Sequence, residues 1–193
     1  MRAVCVFCGS REGSRPSYVG AARSMGATLA SRGIGLVYGG GRVGLMGAVA
    51  EAVLEAGGEA VGVIPEALVS KEIGHAGLTK LHVVGSMHER KKLMSDLSDG
   101  FVTLPGGYGT LEEFFEVLSW AQLSIHEKPC AVLDVDGFYQ PLSALFDEMI
   151  GEGFVQSEHR SLVLMERDPV ALLDRMESYR PPGTKKWLGR GDL

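Results

Sequence analysis

The amino-acid sequence predicts a Rossmann-like α/β fold, a doubly wound parallel sheet with helices on both faces. Short apolar runs alternate with amphipathic stretches along the chain, which is the pattern of strand–helix repeats. The apolar runs are continuous rather than alternating, which is typical of strands buried on both faces. Glycine-rich stretches follow two of the runs, where ligand-binding loops lie in such folds.

Six strands and six helices are predicted in alternation. Gly33 closes the first helix, Gly57 and Gly58 stop the second, and Pro65 ends the third strand, because these residues interrupt regular structure. The predicted strands are Val4–Cys8, Gly35–Tyr38, Ala60–Ile64, Leu81–Val84, Phe101–Leu104 and Cys130–Asp134. The predicted helices are Ser17–Arg32, Gly44–Ala56, Met87–Asp99, Leu111–Ser124, Tyr139–Glu152 and Pro169–Tyr179.

Length and composition indicate one ordinary globular domain. We expect residues 1–179 to form it and residues 180–193 to be a flexible tail, since the chain has 193 residues and its end holds Pro, Gly and Lys. A net charge of -5 argues against a nucleic-acid partner. The start lacks a signal-peptide pattern and no apolar run could span a membrane, so we expect a cytoplasmic protein without a membrane partner.

The cysteines and histidines indicate neither a disulfide framework nor a metal site. Three cysteines are an odd and sparse set. Cys5 and Cys8 form C-x-x-C, but on a strand they would point to opposite faces and belong to the core. The five histidines are scattered without metal-ligand spacing, so no metal is expected.

Two glycine-rich loops each follow a buried strand and open a helix. The first contains Gly39, Gly40 and Gly41, and the second runs through Gly106, Gly107, Tyr108, Gly109 and Thr110. Glycines permit close backbone approach, and the free N–H groups of a helix start favour an anion. One such loop is explained by a tight turn alone, whereas two at the same sheet edge indicate a shared phosphate site to which the Thr110 hydroxyl adds a donor.

A dinucleotide enzyme is an alternative, because Gly39, Gly41 and Gly44 fit G-x-G-x-x-G. The match follows the second strand instead of the first. The acidic residue expected about 20 positions on is also misplaced: Glu59 begins the next strand and Glu66 comes too late. This reading is therefore disfavoured.

Arg90 and Glu113 stand at the helix starts on the ligand edge. Arg90 shares the apolar stripe of its helix with Met87 and Met94, and an inward guanidinium must meet either an ion-pair partner or a ligand. Glu113 has capping-box spacing from Thr110, which is its structural alternative. Ser86 and Glu89 have the same spacing, whereas Lys91 and Lys92 are ambiguous because helical lysines are usually solvated.

The helix after the second loop carries apolar residues on two sides. Leu111, Phe114, Phe115 and Leu118 form one face, and Val117 and Trp120 lie with Glu113 on the other. A second apolar side predicts a second contact. We expect it to be a homodimer face with Glu113 at its rim.

The motif Pro105-Gly106-Gly107-x-Gly109-Thr110-x-x-Glu113 resembles PGGxGTxxE of the Lonely Guy family, cytokinin riboside 5′-monophosphate phosphoribohydrolases often labelled lysine decarboxylases. Met87-His88-Glu89-Arg90-Lys91, Val6–Ser10 and Tyr38–Gly41 are also similar to family motifs. The resemblance runs from about Met1 to Arg167. The decarboxylase label would require a pyridoxal-phosphate lysine with its partners, and no residue set here indicates one.

The resemblance implies a Rossmann-like homodimer that needs no cofactor and releases a free base and ribose 5-phosphate from a nucleotide. It implies that Arg90 and Glu113 are the catalytic pair. It also implies that Glu72, Arg90, Lys91 and the segment from Gly107 to Glu113 bind the substrate. A non-catalytic nucleotide- or cofactor-binding carrier on the same fold is the alternative function.

Overall fold

A seven-stranded, all-parallel sheet forms the centre of the protein, as seen in a computed structural model that describes residues 1–69 and 77–183. The strand order is β4-β3-β2-β1-β5-β6-β7. The predicted doubly wound sheet is confirmed. The strands are β1 (Ala3–Phe7), β2 (Gly35–Tyr38), β3 (Ala60–Pro65), β4 (Lys80–Val84), β5 (Gly100–Thr103), β6 (Cys130–Leu133) and β7 (Val163–Glu166).

Helices cover both faces of the sheet. The α-helices are α1 (Pro16–Ser31), α2 (Gly44–Glu55), α3 (Glu66–Val69), α4 (Met87–Asp96), α5 (Tyr108–Gln122), α6 (Gln140–Gly151) and α7 (Pro169–Ser178), with short 3₁₀ helices at Val135–Gly137 and Ser157–Leu162. Residues of α1, α2 and α7 share one buried apolar cluster, and residues of α4, α5 and α6 share the other. Each face of the sheet thus has its own core.

The two cysteines of the C-x-x-C sequence lie in different cores. Cys5 belongs to the cluster beneath α4 and α5, and Cys8, just past the end of β1, belongs to the cluster beneath α1 and α2. Both thiols are free and buried. This confirms that they are core residues on opposite faces.

Two elements were not predicted from the sequence. β7 is a four-residue strand at the edge of the sheet, and its last two residues are only partly buried. α3 is a single helical turn directly after β3. The helix starts also moved: α5 begins at Tyr108 instead of Leu111, and this shift alters the interpretation of Glu113.

The strand order of the sheet changes direction at β1. Strands β2 to β4 extend the sheet on one side of β1, and β5 to β7 extend it on the other. The loops that leave β1 and β5 therefore diverge and open a crevice at the carboxyl edge, the usual ligand position in such sheets. No helix in the described ranges is both long and apolar enough to cross a membrane.

Candidate active site

Three loops meet at the carboxyl edge of β1, β2 and β5. The Gly9 N–H donates to the Pro105 carbonyl at 3.0 Å, and the Leu45 N–H donates to the Gly9 carbonyl at 3.0 Å. A Cβ on Gly44 would lie 2.4 Å from the Ser10 carbonyl carbon. The glycines are therefore required for contact between main chains. The loop after β1 therefore connects the other two.

The start of α5 presents main-chain groups to this junction. Gly107 is the N-cap, and a Cβ on Gly107 or Gly109 would meet no atom within 4 Å. Tyr108 is 95% exposed. The first-turn N–H groups lack helical acceptors and lie at the positive end of the helix dipole. This turn is consequently suited to an anion such as phosphate.

Thr110 lies beneath the loop instead of on its surface. It is buried, and a Cβ on Gly106 would come within 2.1 Å of the Thr110 Oγ1. The threonine side chain thus supports the Gly106 main chain by direct contact. Its predicted bond to a phosphate stays a prediction.

Glu113 is not the capping residue that its spacing suggested. The N-cap is Gly107, which makes no side-chain cap bond, so Glu113 lies in the second turn of α5. Thr110 and Glu113 fit the capping-box pattern only in their spacing, because T-x-x-E does not say where the helix starts. The Glu113 side chain is only 11% exposed and faces Arg90.

Arg90 is buried at the start of α4 and joins the first glycine loop to Glu113. Its Nη2 lies 3.8 Å from the Glu113 Oε1 and donates to the Gly39 carbonyl at 3.3 Å. Its Nη1 lies 3.7 Å from the Met87 Sδ. Nε is buried without a hydrogen-bond acceptor among the described residues. Arg90 and Glu113, predicted separately from two helices, are therefore in one site.

Gly39 makes the position of Arg90 possible. A Cβ on Gly39 would lie 2.0 Å from the Arg90 Nη2 and 3.1 Å from the Met46 Sδ. No side chain larger than hydrogen fits there while the guanidinium keeps its place. Gly40 has a different requirement, because its φ of +77° lies in the left-handed region.

The charged pair acts on the thiols at the end of β1. Burial raises the pKa of Cys8, and the Glu113 carboxylate raises it further. Burial and Glu113 also raise the pKa of Cys5, against a smaller lowering by Arg90. Both thiols therefore stay protonated at neutral pH.

Lys91 is buried, in contrast to a typical helical lysine. Its Nζ pairs with Glu112, and with the Glu116 Oε1 at 2.9 Å. Burial lowers its pKa, but hydrogen bonds to the two carboxylates outweigh burial and the pKa is raised. Lys92, next along α4, is half exposed and pairs with Asp96 on its own helix at 2.8 Å. The two adjacent lysines thus have different surroundings.

The first turn of α4 has the predicted Ser86 cap, but Glu89 bonds the Gly85 N–H instead of the Ser86 N–H that a complete capping box uses. The Glu89 N–H donates to the Ser86 Oγ at 3.1 Å. The Glu89 carboxylate in turn accepts from the Gly85 N–H at 2.8 Å. These bonds fix the start of the helix that carries Arg90.

Two other expectations have a different outcome. Glu72 lies outside the described residues. Val117 was expected on a homodimer face, but it is 3% exposed and packs with Phe114 inside its own chain. The expectation was wrong because Val117 lies on the same buried face of α5 as Phe114 and Ala121. Trp120 is only partly buried.

The fold and site together define a Rossmann-like α/β protein with a junction of glycine-containing loops and a buried arginine–glutamate pair. The protein-family profile described as "Possible lysine decarboxylase" matches residues 46–176. A probable cytokinin riboside 5′-monophosphate phosphoribohydrolase, LOGL9 of Oryza sativa subsp. japonica, is 51% identical over 180 residues, covering 93% of this chain and 79% of that protein. LOG3 of Arabidopsis thaliana, a cytokinin riboside 5′-monophosphate phosphoribohydrolase, is 44% identical over 180 residues, covering 93% and 84%. The chain belongs to the LOG family of these relatives.

Solved structures share the fold at lower identity. The molybdenum cofactor binding protein from Rippkaea orientalis superposes with a TM-score of 0.69 at 22% identity, over 92% of this chain and 96% of that chain. The molybdenum cofactor carrier protein from Chlamydomonas reinhardtii has a TM-score of 0.69 at 19% identity, over 92% and 99%. At this identity the likeness concerns the fold alone.

Proposed function

We propose that this protein hydrolyses the N-glycosidic bond of adenosine 5′-monophosphate or its N6-substituted forms and releases the free base and ribose 5-phosphate. The observation that carries the proposal is the buried Arg90–Glu113 pair beside the glycine junction. Membership of a family whose curated relatives are named for this reaction supports it. A charged pair that is costly to bury is expected at a site of chemistry.

The 5′-phosphate binds at the glycine loops in this proposal. The open space beside Gly107 and Gly109 and the first-turn N–H groups of α5 form the cradle. The main chain of Gly39, Gly40 and Gly41 closes the adjacent side. Glu72 remains a proposed substrate contact on the strength of the resemblance. The resemblance also implies a substrate contact for Lys91, whose Nζ is already paired with Glu112 and Glu116.

Glu113 and Arg90 divide the work at the sugar. Cleavage of an N-riboside builds positive charge on the ribose, which a carboxylate stabilises. Glu113 supplies that charge and orients the attacking water. Arg90 keeps Glu113 ionised and orients the nucleotide through its remaining N–H groups. Arginine is a poor proton donor near neutral pH, so the proton for the leaving base comes from another donor.

Base release measured by chromatography tests the proposal. Adenosine 5′-monophosphate and N6-isopentenyladenosine 5′-monophosphate are the substrates, with Glu113→Gln and Arg90→Ala as variants. Glu148→Gln on α6, an exposed position, is the matched control. We expect free base from the wild type and the control, and at least about a hundredfold less from the site variants.

The two substrates separate the possible outcomes. A higher rate with the N6-substituted nucleotide indicates cytokinin activation, and equal rates indicate general nucleotide salvage. Binding of both nucleotides without cleavage would contradict the hydrolase assignment and favour a carrier module.

We further propose a single hydrolase domain, residues 1–179, that acts as a cytoplasmic homodimer. The family resemblance supports the dimer, and Trp120 and Leu123 leave apolar surface near the end of α5. Light scattering of the purified protein tests the mass, and cell fractionation tests the location. The predicted tail of residues 180–193 lies mostly outside the described residues.

A further inference from the structure

A second ion-pair cluster lies beside the Arg90–Glu113 pair and connects the same two helices. Lys91 follows Arg90 on α4, and Glu112 and Glu116 flank Glu113 on α5. The Lys91 Nζ contacts both of these carboxylates. Glu112 and Glu116 are four residues apart, so they lie on one face of α5, and one ammonium joins them.

This cluster is placed to control the geometry of the pair. α4 packs against β3 and β4, whereas α5 packs against β1, β5 and β6. The helices are thus supported by different strands. Lys91 ties the backbone next to Arg90 to the backbone on both sides of Glu113.

Burial makes the cluster more than a surface ion pair. The Lys91 side chain is 8% exposed and that of Glu116 is 23% exposed. The Glu116 Oε2 is buried without a hydrogen-bond partner among the described residues. Exposed ion pairs contribute little, whereas loss of one partner from a buried pair leaves an uncompensated charge. Glu112 is 54% exposed, so solvent replaces its contact more easily.

We propose that Lys91 and Glu116 are positioning residues that set the separation between Arg90 and Glu113, with Glu112 as a weaker third member. The proposal rests on the proposed hydrolase function. It gives Lys91 a role that needs no contact with the substrate. A small displacement of a catalytic group is enough to lower the rate strongly.

The main test is the variant Glu116→Gln, measured with adenosine 5′-monophosphate. We expect kcat to fall about tenfold while KM changes less than about twofold, because placement is altered and phosphate binding is not. Asp96→Asn, which breaks the exposed Lys92–Asp96 pair on α4, is the matched control and is expected to lose less than about twofold. An unchanged kcat in folded Glu116→Gln, or a change in KM alone, would overturn the proposal.

Substitutions of Lys91 separate positioning from direct substrate contact. Lys91→Arg keeps a cation for both carboxylates and is expected to retain kcat within about threefold, whereas Lys91→Met loses about tenfold. Equal loss in both folded variants would assign Lys91 to the substrate and refute the positioning role. This comparison decides the matter even if Glu116→Gln fails to fold.

A structural readout keeps the two proposals distinguishable. Wild-type protein that releases no base contradicts the hydrolase function, whatever the variants do. The crystal structure of Glu116→Gln then tests the positioning role directly. An Arg90–Glu113 separation longer by about 0.5 Å supports it, and an unchanged separation overturns it.

Discussion

The contact between Gly39 and Arg90 predicts that Gly39→Ala inactivates the protein without unfolding it. Gly39 does not have a positive φ, so alanine meets no backbone strain there. The new Cβ would lie 2.0 Å from the Arg90 Nη2. The guanidinium is the flexible end of a long side chain, and it moves before the backbone does.

The distances set the size of the effect. Ordinary contact begins near 3.4 Å, so the guanidinium must retreat by about 1.4 Å. A shift of that size would break the bond from the Arg90 Nη2 to the Gly39 carbonyl at 3.3 Å. It would also change the 3.8 Å separation between the Arg90 Nη2 and the Glu113 Oε1. Misplacement of about 1 Å costs on the order of a hundredfold in rate. We expect that loss in kcat and a change below about 2 kcal/mol in the free energy of unfolding.

Base release and urea denaturation measured in parallel check this prediction. Gly20→Ala, at an exposed position of α1 where a Cβ meets no atom within 4 Å, is the matched control and is expected to keep full activity. Combining Gly39→Ala with Arg90→Ala should cost no more than Arg90→Ala alone, since both act on one group. Full activity in Gly39→Ala, or additive losses in the double variant, would refute the reasoning.

Three further predictions concern stability and reactivity. Gly44→Ala is expected to destabilise the fold by about 2 to 4 kcal/mol in urea denaturation, because φ is +64° and the Cβ would strike the main chain of Ser10 and Arg11 in the loop after β1; a loss under about 1 kcal/mol would contradict the close approach. Burial raises the pKa of Asp99, but hydrogen bonds from the N–H groups of Arg2 and Ala3 lower it by more, so the pKa lies below its usual value. Asp99 therefore stabilises the fold at pH values above the ordinary carboxyl pKa of about 4, and this stabilisation is lost as pH falls through the lowered folded-state pKa. Asp99→Asn should cost about 1 kcal/mol of unfolding free energy at neutral pH and little in acid. Denaturation measured as a function of pH would show this. Burial raises the pKa of Cys130 to about 12, and all three thiols are buried, so a thiol reagent near pH 8 should label none of them before unfolding; rapid labelling of the native protein would disprove that.

The fold could be predicted because its signal is repeated in almost every element. Continuous apolar runs with glycine or proline at their ends give both the strands and the sheet class. β7 (Val163–Glu166) was missed although it is as long as β2, β5 and β6. No glycine or proline stands at either end of it, and its pairing with β6 depends on tertiary contact.

The candidate site was predictable where side-chain direction follows from helix period. Arg90 was predicted to point inward from an apolar stripe, and it is buried with Met94, although Met87 of the same stripe is 41% exposed. To predict the position of Glu113 on its helix requires the true start of α5, which residue spacing alone does not give. Lys91 could not be predicted as buried, because its partners Glu112 and Glu116 come from another helix and only the fold brings them near.

The buried guanidinium of Arg90 implies a trade-off between activity and durability. Two buried charges, one of them with an unpartnered Nε among the described residues, lower the stability of the folded chain, and apolar side chains in place of both would remove that penalty. An inactive double variant, Arg90→Met with Glu113→Leu, should therefore melt no lower than the active protein. Selection for catalysis would then explain why a destabilising residue occupies this position. Substitutions that raise the thermal stability of an active protein would have to be made elsewhere in the chain.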